Sequence, residues 1–342
     1  MQTLRIGIVG LGGICRERHI PGLRRIPGVE IAAVCNSTRD SSQRAAHEFN
    51  VPIVCDRWED LVAQDDIDAV LIGTWPYMHR PISVAALAAG KHVFCQARMA
   101  MNYAEAREMY EAARASGRVA MVCPVPFGLT KDSTMERYLK SGRLGELRLV
   151  RVQSMSNVFV DPTTPMTWRK DHRLSGLNML TLGMYVELIH RWFGWTRTVS
   201  AMMQTFVPDR VDTAGERVQV RIPDQILLNT VLENGTPVQY VISAAVHHGH
   251  DQIEIYGSKW TLQYEVKEDV LYGAAPGQAM GSATLDTDNE YDAENWRIER
   301  DFIDAIREGK EYHPNFADGM KYMQVIEAAY DSAREGRTIQ LD

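Results

Sequence analysis

Short apolar runs alternate with segments of helical spacing along the first 123 residues of the chain. The runs have strand length and are apolar at almost every position; they are Ile6–Val9, Val29–Cys35, Pro52–Val54, Ile67–Ile72, His92–Cys95 and Val119–Cys123. Strands that are apolar throughout, rather than alternately, are typical of a parallel sheet covered by helices on both faces. The six strand–helix units therefore predict a doubly wound α/β domain with right-handed crossovers, a Rossmann domain.

The hydrophobic pattern changes after position 123. Pro124 and Pro126 interrupt the chain, and later segments such as Leu147–Val160 and Val238–Val246 are longer and alternate. This alternation predicts a large open, mainly antiparallel sheet with a helix from about Asn178 to Phe193 against it. We therefore predict a nucleotide-binding domain over 1–123 and an α/β domain over 124–342 for substrate binding and oligomerisation. Closing helices near the C-terminus can pack back on the first domain.

A glycine-rich turn follows the first strand. Residues 5–15 read RIGIVGLGGIC, which fits the dinucleotide fingerprint G-x-G-x-x-G with Cys15 in the third place. Gly10 and Gly12 allow a sharp turn, and a helix N-terminus over Gly13 and Ile14 offers free N–H groups to a pyrophosphate. The alternative is a glycine turn in an α/β protein of another kind. The strand–helix pattern that follows the turn favours a dinucleotide-binding site.

Composition and charge narrow the functional classes. Hydrophobic residues make up 45% and charged residues 24% of the 342, with a net charge of −7, so we expect neither a nucleic-acid nor a membrane partner. The five cysteines include no CxxC pair, which favours free thiols in a reducing cytoplasm and argues against a metal site. We find no signal peptide and expect a cytoplasmic location.

The chain resembles the Gfo/Idh/MocA family, named for glucose–fructose oxidoreductase, inositol dehydrogenase and a rhizopine-catabolism protein. The likeness covers nearly the whole length. Its markers are the motifs Gly7–Cys15, His79, Ala89–Cys95, Gly142–Glu146, Trp168-Arg169, Leu182-Gly183 and Ala328–Ser332. The resemblance implies a Rossmann domain followed by an open-sheet α/β domain. It also implies NAD- or NADP-dependent oxidation or reduction of sugars, polyols and related compounds.

Two motifs depart from the family pattern. Where the family carries Glu-Lys-Pro, this chain has Gln96-Ala97-Arg98, and Ala97 cannot replace the charge or the proton of a lysine near the nicotinamide. The family helix motif Asp-x-x-x-His becomes Thr181 and Tyr185, four positions apart and therefore on one helix face. The resemblance implies Tyr185 as the proton-transfer group, since some branches use tyrosine there. Thr181 is expected as a positioning hydroxyl.

The expected nucleotide contacts begin after the second strand. Asn36 stands where an NAD-specific domain usually has a carboxylate for the ribose, and Ser37, Thr38 and Arg39 follow it. Loss of the carboxylate and gain of a guanidinium favour a 2′-phosphate, so NAD(P) is expected with a lean to NADP. The alternative is that Arg39 is a solvated charge in a helix turn. Asp56 is expected to cap the helix that runs to Ala63.

Further cofactor contacts are expected from two later loops. Thr74, Trp75 and His79 follow the fourth strand and would pass under the nicotinamide, although His79 could instead be a helix-cap residue. Gln96 and Arg98 occupy the altered motif, and Arg98 could supply the missing positive charge.

The substrate candidates lie in the second domain. Trp168, Arg169 and His172 belong to a polar loop, where an indole can stack on a sugar ring and a guanidinium can hold an anion. The alternative for Trp168 is packing under the loop. His248 lies in a histidine cluster; it could line the substrate site with Tyr185 or, with His250 on the same strand face, bind a metal. Glu187 and Arg191 are expected to form a surface or domain-bridging pair.

Three functions remain open from the sequence. The first is hydride transfer between a nicotinamide and the hydroxyl or carbonyl of a sugar, polyol or glycoside. The second is glycoside cleavage through transient oxidation by tightly bound NAD(P), and the third is a catalytically silent nucleotide-binding protein. The resemblance implies a homodimer or homotetramer that pairs through the open sheet.

Overall fold

Six parallel strands form the first sheet of the computed structural model, which describes residues 3–123, 132–212, 214–283 and 296–341. Their order is β3-β2-β1-β4-β5-β6, so the chain reverses direction across the sheet between β1 and β4. The strands are β1 Leu4–Val9, β2 Val29–Cys35, β3 Ile53–Val54, β4 Ala69–Ile72, β5 His92–Cys95 and β6 Ala120–Val122. Ligands of such sheets bind beyond the carboxyl ends of the strands at this reversal.

Helices follow the strands in alternation. They are α1 Ile20–Arg24, preceded by a π-helical turn over Cys15–His19, then α2 Arg39–Glu48, α3 Trp58–Val62, α4 His79–Ala88 and α5 Tyr103–Ser116. Ile8, Val34 and Val93 on the strands are fully buried, which is why these runs are apolar at successive positions.

The contacts divide the chain into two units. The first comprises Met1–Pro124 with Arg297–Met320, and the second comprises Val125–Trp296 with Lys321–Asp342. The remaining helices are α6 Asp132–Lys140, α7 His172–Ser175, α8 Leu182–Phe193, α9 Ile298–Glu308 and α10 Phe316–Glu335. Pro124 and Pro126, which the sequence suggests as the break between domains, lie outside the described residues.

A nine-stranded sheet dominates the second unit. Its order is β16-β15-β14-β13-β7-β12-β11-β8-β17, and every neighbouring pair is antiparallel except β7 with β12. The strands are β7 Leu147–Met155, β8 Thr196–Gln204, β11 Gln225–Leu232, β12 Pro237–Ser243, β13 Asp251–Gly257, β14 Thr261–Glu265, β15 Val270–Ala274, β16 Gly281–Ser282 and β17 Ile339–Gln340, with β9 Asp209–Val211 and β10 Arg217–Gln219 in a separate hairpin. The predicted fold class is therefore confirmed.

Alternation on the strands of this sheet produces one buried face. Val238, Tyr240 and Ile242 of β12 are at most 1% exposed, whereas Gln239 and Val241 between them are partly exposed. Helix α8 is buried along most of its length. The alternation of apolar and polar residues along the strand therefore reflects one face of the sheet that packs into the core of the second unit.

Two local predictions are wrong. The segment predicted as one strand over Leu147–Val160 ends at Met155, because the chain turns after the last ladder pair. Asp56 does not cap α3; Arg57 precedes that helix without a side-chain cap, and the Asp56 carboxylate instead accepts a hydrogen bond from Arg39.

No helix in the described ranges combines the length and apolar character needed to cross a bilayer.

A buried ion pair anchors the loop that carries Trp168 and Arg169. The Lys170 ammonium donates to Asp224 Oδ1 at 2.6 Å and to the carbonyls of Ile222 at 3.1 Å and Pro223 at 2.8 Å. Both charged side chains are completely buried. Burial lowers the pKa of Lys170, and the Asp224 carboxylate acts in the opposite direction. Each donor position of the ammonium therefore has an acceptor.

Replacement of this lysine is expected to destabilise the second unit. Lys170→Met removes the counter-charge and leaves Asp224 buried and unpaired, so we expect a loss of about 3–5 kcal/mol in the free energy of unfolding, measured by urea denaturation. Arg217→Met, which breaks the exposed Arg217–Asp209 pair, serves as the control and should cost less than about 1 kcal/mol. Equal losses in the two variants would contradict this assignment.

Candidate functional site

The glycine turn after β1 leaves room on one side only. Gly10 has φ +83°, and a Cβ built there would lie 2.7 Å from the backbone nitrogen of Thr74. A Cβ built on Gly12 or Gly13 would meet nothing within 4 Å. Gly10 is therefore required by the fold, whereas the absence of side chains at Gly12 and Gly13 keeps open space beside the turn.

Cys15 fills the third position of the fingerprint by packing inward. Its Sγ lies 3.6 Å from the carbonyl oxygen of Gly10, and a Cβ on Gly73 would come within 2.4 Å of that sulfur. The side chain is fully buried, and burial raises the pKa of its thiol to about 12. Cys15 is thus a packing residue between the turn and the end of β4.

Asn36 holds the glycine turn from the end of β2. Its Oδ1 accepts a hydrogen bond from the backbone N–H of Leu11 at 2.7 Å, and its Nδ2 donates to the carbonyl of Ser41 at 3.2 Å. The N–H of Asn36 donates to Ser42 Oγ at 2.8 Å. An aspartate here could accept from Leu11 but could not donate to Ser41, which gives a structural reason for the amide.

The residues after Asn36 form the start of α2. Thr38 is the N-cap, since its Oγ1 accepts from the N–H of Ser41 at 3.2 Å, and Ser37 is exposed beside it. Arg39 is exposed and donates through Nη1 to Asp56 Oδ1 at 2.6 Å. The guanidinium therefore has a carboxylate partner on the loop after β3.

The loop after β4 is tied to the loop after β5 by a buried imidazole. His79 Nε2 lies 3.0 Å from the carbonyl oxygen of Thr74, and His79 Nδ1 lies 2.9 Å from that of Arg98 and 3.2 Å from that of Met99. Burial lowers the pKa of His79 despite these acceptors. The His79 ring therefore holds the two loops together. Trp75, on the first of these loops, is 44% exposed.

The altered motif turns its first side chain into the interior. Gln96 and His19 share a hydrogen bond between Gln96 Nε2 and His19 Nε2, and His19 Nδ1 lies 2.5 Å from Glu299 Oε1. All three side chains are buried, as is Arg98. A glutamate at position 96 would add a second buried carboxylate around one imidazole; the glutamine amide carries no charge and offers an N–H to His19 Nε2 that a carboxylate lacks.

These residues of the first unit fit a dinucleotide. Gly12 and Gly13 border open space, and the Thr74 hydroxyl is buried without a hydrogen-bond partner in the described part of the chain. The predicted contacts that could face a nucleotide are Gly12, Gly13, Ile14, Ser37, Thr74 and Trp75, whereas Thr38 caps α2 and Arg39 pairs with Asp56. The structure gives Gly10, Asn36, His79 and Gln96 internal partners, so they shape the site from behind.

A polar cluster in the second unit contains the two helix-motif residues. Thr181 Oγ1 donates to Ser154 Oγ at 2.9 Å, and the Tyr185 hydroxyl lies 3.5 Å from Asp251 Oδ2. Ser154 and Asp251 face each other as paired residues of β7 and β13. Sequence reasoning found Thr181 and Tyr185 but missed Ser154 and Asp251, because only the strand register brings them to the helix.

The surroundings of Tyr185 favour its protonated form. Burial, and next the charge of Asp251, raise the pKa of Tyr185 well above its ordinary value. Burial also raises the pKa of Asp251, although its bonds from Ser154, from the N–H of Met155 at 3.1 Å and from Tyr185 oppose this. These surroundings favour the neutral phenol form of Tyr185, beside the carboxyl of Asp251.

The polar loop before α8 presents an arginine stacked on an indole. The Arg169 guanidinium carbon lies 4.3 Å from the centre of the Trp168 ring, and Arg169 is exposed. Among the residues that the structure describes, no carboxylate pairs with this guanidinium. His172 begins the short α7, and Asp171 caps that helix.

The histidine cluster is a turn and not a strand. β12 ends at Ser243, and His248 is exposed with φ +57°, so His248 and His250 do not share a strand face as predicted. Within the described ranges, no group of three or more His, Cys, Asp or Glu side chains could hold a metal ion. Glu187 and Arg191, expected as a surface or domain-bridging pair, do form an ion pair; it is largely buried, and Arg191 also pairs with Asp132.

Two family models match the chain. One, described as the oxidoreductase family with an NAD-binding Rossmann fold, matches residues 4–123. The other, described as the C-terminal alpha/beta domain of the same oxidoreductase family, matches residues 137–341.

Individual relatives align over almost the full chain. Levoglucosan dehydrogenase of Pseudarthrobacter phenanthrenivorans is 24% identical, covering 97% of this chain and 97% of the relative. Inositol 2-dehydrogenase of Gluconacetobacter diazotrophicus is 28% identical, covering 98% of this chain and 96% of the relative. The solved structure of levoglucosan dehydrogenase with NADH and L-sorbose superposes with a TM-score of 0.90 at 22% identity, covering 100% of both chains.

The glycine turn predicts different outcomes at two positions. Gly10→Ala places a Cβ against the Thr74 backbone at positive φ and should cost about 1–3 kcal/mol of stability, measured by thermal or urea unfolding. Gly12→Ala should change stability by less than about 0.5 kcal/mol, because its Cβ would enter open space.

The same two variants distinguish an effect on stability from an effect on nucleotide binding. In calorimetric titration with NADH, Gly12→Ala should raise the dissociation constant about tenfold or more, because the added methyl occupies space that the pyrophosphate needs. Unchanged affinity in Gly12→Ala would rule out binding of the pyrophosphate at this turn.

Proposed function

The chain belongs to the Gfo/Idh/MocA oxidoreductase family, with an NAD-binding Rossmann domain, and from this premise we propose that it oxidises a hydroxyl of a sugar or polyol, or reduces the corresponding carbonyl. The observation that carries the proposal is the position of the Tyr185 hydroxyl and its polar surroundings. Its hydroxyl lies in a buried polar cluster at the helix position where the family carries its proton-transfer group. A buried phenol with polar partners is suited to proton transfer.

The roles of the residues follow from their surroundings. When bound, the nicotinamide supplies the hydride acceptor or donor. Tyr185 exchanges the proton of the reacting oxygen, and Thr181, through its bond to Ser154, fixes the start of α8. Ala97 contributes no charge, so proton transfer depends on the Tyr185 cluster.

We propose that Trp168 and Arg169 bind the substrate, with His172 and His248 as further contacts. The exposed Arg169 guanidinium lies over the Trp168 ring and has no carboxylate partner in the described ranges, so its donors can meet substrate oxygens. Relatives named for levoglucosan and inositol support a polyhydroxylated substrate.

For the cofactor we propose NAD over NADP, which departs from the expectation from sequence. That expectation depends on Arg39 meeting a 2′-phosphate, but Asp56 already pairs with this guanidinium and would repel a second anion. Solved relatives named as NADH complexes support the same choice.

We retain a homodimer or homotetramer and a cytoplasmic location as proposals. On the open face of the nine-stranded sheet, Met202 is 67% exposed and its paired residue Leu227 is 39% exposed, which supports pairing through this face. All five cysteines are free and buried, as suits a reducing compartment.

The proposed activity is tested by nicotinamide absorbance. Wild-type protein with NAD and a panel of sugars, polyols and sugar acids should reduce the cofactor with at least one member. Tyr185→Phe should lower kcat by about 10²–10⁴-fold, because it removes the exchangeable proton, with little change in NADH affinity. Tyr138→Phe, which changes another buried tyrosine of the same unit, is the control and should retain kcat.

Two other results would contradict the proposal. Cleavage of a glycoside with tightly bound cofactor and no net reduction would favour transient oxidation. Nucleotide binding without turnover of any panel member would favour a silent protein.

The cofactor proposal predicts an asymmetric response to two variants. Wild-type protein should bind NADH more tightly than NADPH. Asp56→Ala should tighten NADPH binding about fivefold or more, because it frees Arg39 for the phosphate, and Arg39→Ala should not. Asp66→Ala is the control. It removes the carboxylate that pairs with Arg5 in the same unit, and it should change neither the NADH nor the NADPH affinity. Tighter NADPH binding by the wild type would overturn the proposal.

A further inference from the structure

A carboxylate enters the Tyr185 cluster from a strand and not from the helix. The helix position that carries a carboxylate in the family is Thr181 here, so α8 itself brings no acidic group to the cluster. Asp251, the first residue of β13, faces Ser154 across the ladder and reaches the Tyr185 hydroxyl at 3.5 Å through Oδ2. Its other oxygen accepts from the N–H of Met155 at 3.1 Å, which fixes the orientation of the carboxylate.

We propose that Asp251 is the terminal proton acceptor of the reaction and that Tyr185 passes the substrate proton to it. The inference rests on the proposed function, since it concerns the same proton. Asp251 acts through Tyr185 and is thus a positioning and proton-accepting residue, whereas Tyr185 is the group that meets the substrate.

The step balances in atoms and electrons. As the substrate hydroxyl is oxidised, its O–H bond breaks and its proton goes to the phenol oxygen of Tyr185, while the phenol proton goes to Asp251 Oδ2. The two electrons of the substrate C–H bond leave as hydride to the nicotinamide. The products are a carbonyl, a reduced nicotinamide and a protonated Asp251, and reduction runs through the same steps backwards.

The surroundings disfavour Tyr185 as a base that works alone. Such a base would have to be a phenolate, and burial and the Asp251 charge both raise the pKa of Tyr185 and so oppose that form. A phenol can take up one proton only as it gives up another; of its two polar partners, Ser154 and Asp251, the carboxylate is the one that can keep a proton. The carboxylate behind the tyrosine therefore decides whether the exchange can proceed.

Several titratable groups face this pair. His250 precedes Asp251 and, when charged, lowers the pKa of that carboxyl; Tyr264 of β14 acts on Tyr185 and raises its pKa. Burial is the largest influence on Asp251, and its pKa is raised overall. Asp251 must be ionised to accept a proton, so oxidation should gain rate as pH rises through this raised pKa and lose rate below it.

The interaction between Asp251 and Tyr185 can be measured without substrate turnover. In protein labelled with ¹³C at the tyrosine Cζ, the Tyr185 resonance is assigned by its loss in Tyr185→Phe. In the wild type this resonance should move as Asp251 titrates at acidic pH. In Asp251→Asn, which keeps an oxygen for the Met155 N–H, that movement should vanish and the ionisation midpoint of Tyr185 should fall.

A second tyrosine–carboxylate pair offers the matched control. Tyr264 donates to Asp269 Oδ1 at 2.8 Å, so Asp269→Asn makes the same chemical change at a carboxylate that bonds Tyr264 in place of Tyr185. Asp269→Asn should leave the acidic movement of the Tyr185 resonance in place. A Tyr185 resonance that ignores Asp251→Asn would overturn the relay.

Kinetics complete the test on any panel sugar that the wild type oxidises. Asp251→Asn should lower kcat about 100-fold or more and remove the acidic limb of its pH profile, with unchanged NADH affinity. Wild-type kcat and pH profile in Asp251→Asn would overturn the relay while the proposed function stood. An intact coupling with no oxidation of any sugar would instead overturn the proposed function and leave the hydrogen-bonded pair supported.

Discussion

The close approach of two backbone turns, at the carboxyl ends of the central strands β1 and β4, is the constraint on which the first unit depends. A Cβ on Gly10 would lie 2.9 Å from the carbonyl carbon of Gly73, and a Cβ on Gly73 would lie 2.4 Å from the carbonyl oxygen of Gly10. Neither position has space for a side chain, and Cys15 fills the remaining gap. This contact closes the turn on its inner side, so the side next to Gly12 and Gly13 is left for a ligand.

The sequence was sufficient for the parts that local patterns determine. Apolar runs predict the parallel strands, the spacing of Gly10, Gly12 and Cys15 predicts the turn, and the i, i+4 relation joins Thr181 to Tyr185. It was insufficient where a contact depends on strand register or on distant chain segments. Asp251 meets Tyr185 only because β13 pairs with β7, and Glu299 meets His19 from 280 positions away. The turn at His248 follows a strand that ends earlier than its apolar pattern suggests.

The departures from the family motifs have local physical explanations in both units. Gln96 bonds an imidazole that already faces Glu299, so its amide avoids a second buried carboxylate. Thr181 brings a hydroxyl to Ser154, and the acidic group of that cluster comes from a strand in place of the helix. Both altered motif positions therefore have polar partners among the described residues.

The central claim is that this chain transfers hydride although Ala97 replaces the family lysine. The most direct measurement uses NAD and a panel sugar deuterated at the carbon that is oxidised, with the nicotinamide analysed by mass spectrometry and proton NMR. The account predicts one deuterium at C4 of each reduced nicotinamide, in equal amount to the sugar oxidised. Conversion of the sugar with no deuterium in the nicotinamide would contradict it.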